Sequence, residues 1–200
     1  FIKTLGCKVN QCESDQMREC LIEAGFRESI DVSNADLYII NSCTVTHRAD
    51  RETRRLIRYF HVSNPKAKII VAGCYAETDK DRLSLSRIDG VTHLIRNKGK
   101  DKILEIIRTE FNLLEKKVGE TPRRSRKRDR VFVKIQDGCD NRCSYCKVSI
   151  VRGASISKAE DEILSEVTRL VSNGFKEIVL TGVCLGAWGR DFERPLSLSD

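Results

Sequence analysis

The sequence predicts an α/β protein in two parts: an N-terminal parallel-sheet βαβ domain, then the opening of a larger α/β barrel that is cut short. Three observations carry this. Short β-rich runs alternate with helical stretches in units of about thirty residues, the spacing of βαβ units. A basic stretch poor in apolar residues interrupts that rhythm. The rhythm then resumes with two further strands around one helix.

In chain order, Phe1–Leu5, Leu37–Ile40 and Lys68–Ala72 read as buried strands, with a weaker strand at Thr92–Ile95. Helices are expected from about Glu13 to Ala24, closed by Gly25, and from about Ala49 to His61, ending before Pro65. A third, Lys100 to Leu114, carries Ile103, Ile106, Ile107, Phe111 and Leu114 at helical spacing. After the basic stretch, Val131–Ile135 and Glu177–Thr181 read as strands. The helix between them, Lys158 to Ser172, is given Ser157 as N-cap and Glu160 as its capping-box partner, with Gly174 as its end. The expected division is 1–115 for the first domain, 116–130 for a basic linker and 131–200 for an incomplete second domain.

Composition narrows the class. With 40% hydrophobic and 32% charged residues the chain is neither collagen-like nor disordered. No run approaches the ~18 apolar residues of a membrane span, and no N-terminal signal is visible, so no membrane partner and a cytoplasmic location are expected. A chain that opens on Phe1 and stops at Asp200 reads as a piece of a longer product. The net charge of +7 is concentrated: Lys116 to Lys134 holds nine basic residues against two acids, and the remainder is balanced. This block is either a solvated hinge or a segment drawn to nucleic-acid phosphates. Along the second helix Arg51, Arg54, Arg55 and Arg58 form a basic face of the same double meaning.

Nine cysteines without a signal peptide point to a reducing compartment and to metal chemistry rather than disulfides. Cys7, Cys43 and Cys74 each follow one of the first three strands. Residues beyond the carboxyl ends of parallel strands gather on one sheet edge, so these three are expected to share a metal site. Cys139-x3-Cys143-x2-Cys146 forms a second set within one loop. Thiolates suit zinc and iron–sulfur centres alike. No fourth Cys or His lies near this loop to complete a structural zinc site, whereas three thiolates on a four-iron cluster leave one iron open for chemistry. Cys12 and Cys20 read as packing residues of the first helix, Cys184 as incidental, His47 as solvated surface and Trp188 as core cover.

Cys139-x3-Cys143-x2-Cys146, with Tyr145 before the third cysteine, resembles the cluster motif of radical S-adenosylmethionine enzymes. Thr4-Leu5-Gly6-Cys7-Lys8-Val9-Asn10-Gln11, Asn41-Ser42-Cys43-Thr44-Val45-Thr46, Ala72-Gly73-Cys74-Tyr75-Ala76 and Ile135-Gln136-Asp137-Gly138-Cys139 resemble methylthiotransferases. Lys8-Val9-Asn10-Gln11 looks most like the branch acting on N6-threonylcarbamoyladenosine in tRNA. The resemblance implies a partial, TIM-like radical-SAM barrel after the linker. It implies two 4Fe-4S clusters, one on Cys139, Cys143 and Cys146 that binds S-adenosylmethionine, the other on Cys7, Cys43 and Cys74 that presents sulfur. Tyr145 and Gly182 are then expected at the S-adenosylmethionine site, Gly182 because a residue without a side chain lets the backbone approach closely. The implied reaction starts from a 5′-deoxyadenosyl radical and ends with a methylthio group at C2 of the adenosine at position 37. Partners would be the tRNA anticodon loop and an electron-donor protein, with the enzyme a monomer. Alternatives are isopentenyladenosine in tRNA or a ribosomal protein as substrate, or a zinc-stabilised nucleic-acid-binding module. One departure stands out: Ile156 and Lys158 occupy places where the family usually carries Arg. Alone, the chain is expected to bind iron and sulfur without turning over.

Overall fold

The computed structural model describes residues 1–78, 84–110 and 129–199. The chain divides into two compact units, Phe1–Arg123 and Arg124–Asp200. The expected linker lies outside the described residues except for Asp129 and Arg130, and Arg130 already belongs to a strand.

The first unit is a four-stranded, fully parallel sheet in the order β1 (Ile2–Thr4), β2 (Leu37–Ser42), β3 (Lys68–Gly73), β4 (Val91–Ile95). Alternation along the central strands feeds two cores. Tyr38, Ile40, Ile69 and Val71 pack against Leu56, Ile57 and Phe60 of α2 (His47–Ser63). Ile39, Ile70 and Ala72 pack with Met17 and Leu21 of α1 (Lys8–Glu23) and Ile103 and Ile107 of α4 (Ile103–Glu110). Both faces of β2 and β3 are therefore dry, which is why these strands read as continuous apolar runs.

Helix α1 begins at Lys8, more than a turn before the expected Glu13, with Cys7 at its N-cap. The early start carries the buried polar residues Asn10, Glu13 and Ser14, which hide the apolar periodicity used to place helix starts. Its end is as expected. Gly25, at φ 91°, donates to Ile22 O and Phe26 donates to Leu21 O, the paired bonds of a Schellman stop. The third expected helix is split: Asn97–Lys102 is a 3-10 helix, α4 follows, and residues 111–114 lie outside the described residues. A short helix that sequence reasoning left out, α3 (Cys74–Thr78), starts directly on the third cysteine.

In the second unit β5 (Arg130–Lys134) pairs in parallel with β8 (Glu177–Thr181), joined through α6 (Glu160–Ser172). Val133, Ile135, Ile163, Leu170 and Trp188 form the core, so Trp188 is core cover. A small antiparallel pair, β6 (Gln136–Asp137) with β7 (Ile156–Ser157), encloses the cysteine loop and the short helix α5 (Val148–Arg152). The expected capping box is absent. Helix α6 starts at Glu160 behind an Ala159 N-cap without a side-chain cap. Ser157 is a β7 residue whose hydroxyl accepts from Gly189 N–H at 2.8 Å. Glu160, Asp161 and Glu162 in the first turn complement the helix dipole instead.

Candidate metal centres

One row of the first sheet, Thr4, Asn41, Ala72 and Ile95, is in register across all four strands. Cys43 and Cys74 stand two residues beyond that row on β2 and β3, and Cys7 three beyond it on β1. With neighbouring strands about 5 Å apart, the register brings the three cysteines to one edge. Burial pushes the Cys43 thiol up from its ordinary value and the neighbouring Cys74 and Cys7 push it the same way, against hydrogen bonds to the backbone of Val45 and Thr44. Cys43 and Cys74 are buried at 4% and 3% exposure, while Cys7 is exposed.

Side chains that the motif contains, but to which sequence reasoning assigned no task, build this edge. Asn10 Nδ2 donates to Leu5 O at 2.7 Å and to Ser42 O at 3.0 Å, tying the end of β1 to the residue before Cys43. Asn41 Nδ2 donates to Asn10 O and Ser14 Oγ. Ser42 Oγ donates to Ala72 O at 2.6 Å and accepts from Tyr75 N–H, linking β2 to β3 on both sides of Cys74. The signal that could have found them is polar residues at positions where a buried parallel strand or its helix should be apolar. Gly6, at φ 98°, leaves no room for a side chain: a Cβ there would lie 2.8 Å from Cys43 Cβ and 3.0 Å from its Sγ. The basic face on α2 is partly spent inside the unit. Arg54 Nε donates to the Tyr75 hydroxyl at 2.7 Å, and Arg55 forms two bonds to Glu52.

The second set sits in the loop between β6 and α5. Cys143 is exposed and Cys139 and Cys146 are partly buried. Gln136 fixes the base of the loop, donating from Nε2 to Asp137 O, Gly138 O and Ser155 Oγ and accepting from Cys184 N–H. Asp137 accepts from Arg152, Lys134 and the Gly138 N–H. Burial would raise its carboxyl, but Arg152 and Lys134 overcome this and hold it below the ordinary value. Cys139 N–H donates to Gly153 O at 3.0 Å. Gly138 is required here, since a Cβ would meet Ala154 O at 1.8 Å.

The expected cofactor residues fare differently. Tyr145 is 89% exposed and packs on no core. Gly182 has a local reason for lacking a side chain: a Cβ would come within 3.0 Å of Gln136 Cβ and Oε1. The close approach it permits within this unit is to Gln136. Of the two departures from the family pattern, Ile156 is exposed, and Lys158 pairs with Glu166 while its carbonyl accepts from Trp188 Nε1.

Both sets consist entirely of cysteine, whose thiolates suit iron–sulfur clusters and zinc. Among the described residues no three His, Cys, Asp or Glu side chains are grouped so as to hold a single metal ion. A four-iron cluster asks for a wider arrangement, because each thiolate binds a different iron. The first trio, three cysteines set just beyond the ends of three adjacent strands, suits such a centre by its chemistry and its placement at one edge. The second fits it by motif, on a loop pinned at its base.

Comparison with known proteins places the chain. Residues 1–107 match the profile described as uncharacterized protein family UPF0004. A threonylcarbamoyladenosine tRNA methylthiotransferase MtaB of Thermotoga maritima is 37% identical, covering 98% of this chain and 46% of its own length. A tRNA-2-methylthio-N(6)-dimethylallyladenosine synthase of Aquifex aeolicus is 35% identical over all of this chain and 49% of its own. A ribosomal protein uS12 methylthiotransferase RimO of Carboxydothermus hydrogenoformans is 32% identical over 96% and 45%. The chain thus spans about half the length of the curated relatives it matches. With the family model matching residues 1–107, more than half of the chain, and these relatives at least 32% identical over 96% or more of it, the chain belongs to the methylthiotransferase family.

Proposed function

We propose that the protein containing this chain is a tRNA methylthiotransferase that places a methylthio group at C2 of N6-threonylcarbamoyladenosine at position 37, using two 4Fe-4S clusters and S-adenosylmethionine. The observation that carries the reading is the pair of all-thiolate trios, one built by the register of a parallel sheet and the other by a single loop. The choice of substrate is supported by Lys8-Val9-Asn10-Gln11 after the first cysteine and by MtaB relatives at 34–37% identity, a range that overlaps the 31–35% of relatives with other substrates.

Cys139, Cys143 and Cys146 would hold one cluster and Cys7, Cys43 and Cys74 the other. Bound there, the clusters and S-adenosylmethionine supply radical chemistry at a carbon and a sulfur donor. The chain's own residues orient and seal. Gln136, Asp137 and Arg152 hold the base of the loop that presents Cys139, while exposed Tyr145 and Gly182, after β8, would help hold S-adenosylmethionine. Asn10 and Ser42 tie together the ends of β1, β2 and β3, which holds in place the three cysteines that follow those strands. An exposed anticodon-loop base is the RNA element open to such chemistry. An electron-donor protein as partner, a monomeric state and a cytoplasmic location complete the reading. No helix among the described residues is long and apolar enough to cross a membrane.

Mass spectrometry of tRNA nucleosides from cells lacking the full-length gene tests the substrate. Loss of methylthiolated threonylcarbamoyladenosine is expected. Persistence of that nucleoside with loss of the isopentenyl counterpart, or of ribosomal-protein methylthiolation, assigns the enzyme to a sister branch. Anaerobically purified protein that is colourless and carries stoichiometric zinc would replace the enzyme reading with a zinc-stabilised module.

A further inference from the structure

The register row that positions the cysteines does not stop at β3. Ile95 on β4 is its fourth member, and the residue two beyond Ile95 is Asn97, the counterpart on the fourth strand of Cys43 and Cys74. Its side chain reaches the neighbouring position: Asn97 Nδ2 lies 3.6 Å from Cys74 Sγ, a donor to sulfur.

The residue is held there from two directions. Its backbone N–H donates to Glu77 Oε2 at 3.1 Å, on the helix α3 that begins at Cys74. Three residues on, within the same 3-10 helix, Lys100 Nζ lies 2.5 Å from Glu13 Oε2 of α1, with both side chains about 95% buried. Removing either partner from such a pair leaves an uncompensated buried charge, so the pair clamps the 3-10 helix to α1. Gly73, at φ 97°, makes room for the clamp: a Cβ there would lie 3.3 Å from Lys100 Nζ and 2.8 Å from Asn41 Oδ1. Two buried, paired charges and a glycine are thus arranged around a helix whose first side chain meets a thiol.

We propose that Asn97 is a positioning residue of the Cys7, Cys43, Cys74 site, a non-cysteine fourth member of the sheet edge, whose amide donates to the Cys74 sulfur and raises the reduction potential of the centre held there. The inference rests on the reading of this trio as a cluster site. Reduction adds negative charge that spreads onto the ligand sulfurs. An N–H aimed at one of them therefore stabilises the reduced form more than the oxidised form. Such hydrogen bonds around the ligands are a standard means by which a protein tunes a metal centre.

The test uses the full chain with Cys139→Ala, Cys143→Ala and Cys146→Ala, reconstituted anaerobically with iron and sulfide so that the N-terminal trio alone is loaded. Iron content and an electron-paramagnetic-resonance titration with dithionite are read. Asn97→Leu, which has nearly the same shape and no donor, is expected to keep its iron and to lower the reduced-to-oxidised ratio at fixed potential about tenfold, a drop of about 59 mV for a one-electron couple. Asn97→Ser, too short to reach the sulfur, is expected to move the same way and serves where the leucine chain does not load. A potential equal to the parent's in either loaded variant overturns the inference. So does loss of iron from both with an unchanged circular dichroism spectrum, since Asn97 would then build the centre without tuning it. A parent chain that takes up no iron on Cys7, Cys43 and Cys74 fails the cluster reading itself, which is a different result from a loaded centre at an unmoved potential.

Discussion

Asn10 does two jobs with one amide, satisfying the carbonyls of Leu5 and Ser42 at the ends of two different strands. Asn10→Leu keeps the shape and leaves both carbonyls buried without that donor, a loss of about 2 kcal/mol by the usual cost of orphaned acceptors. Hydrogen-exchange protection of the β2 amides should fall by that amount, with the second unit unchanged. Gly6 offers a sharper case, because its constraint is spatial as well as conformational. Gly6→Ala forces a positive φ on a residue with a side chain, a strain of about 1–3 kcal/mol, and drives its methyl group against Cys43. Iron retained by the N-terminal trio after anaerobic reconstitution should fall well below that of the parent, while iron on Cys139, Cys143 and Cys146 stays at parent level. Equal loss from both trios would mean general misfolding instead.

At the scale of elements, Ser157 separates two accounts of one residue. As the cap of α6 it would protect the first turn of that helix; in the structure its hydroxyl serves Gly189 and its N–H serves Asp191 at 2.8 Å. Ser157→Ala should therefore cost about 1 kcal/mol, read as faster exchange at Gly189 with unchanged protection in the first turn of α6. Unchanged exchange at Gly189 with loss of protection in the first turn of α6 would restore the capping box. The reason the sequence misled here is that a Ser followed three residues later by Glu160 carries no mark of which backbone N–H its hydroxyl meets. Strands were legible because burial on both faces makes β2 and β3 uniformly apolar. The placement of Cys7, Cys43 and Cys74 at one sheet edge was legible because each follows a strand. The start of α1, the helix α3 and the pinning of the loop by Gln136 were not, since buried polar side chains such as Asn10, Glu13 and Gln136 break the apolar period and declare their partners only in three dimensions. Asn97 was missed although Thr92–Ile95 read as a strand, because an Asn after a strand does not announce that its amide meets a thiol on the neighbouring one.

For the whole molecule, the separateness of the two units has a consequence for metal content. Each has its own apolar core, one around Tyr38, Phe60, Ile70 and Ile107 and the other around Val133, Ile135, Leu170 and Trp188. Each also carries its own three cysteines, on a sheet edge in one and a pinned loop in the other. Because neither trio borrows a cysteine from the other unit, loading should be separable. The reconstituted chain should bind about eight irons if each trio holds a four-iron cluster, and Cys43→Ala or Cys143→Ala should each reduce this to about four. The double substitution should leave almost none. Each trio has one exposed cysteine, Cys7 or Cys143, but the sheet edge buries its other two whereas the loop buries none, so a chelator should strip the loop's iron first. Iron and sulfide analysis during a timed chelation follows both effects. Iron leaving the two single variants at one common rate would show that burial does not govern access, and a chain in which Cys43→Ala empties both trios would show that the two centres are not independent.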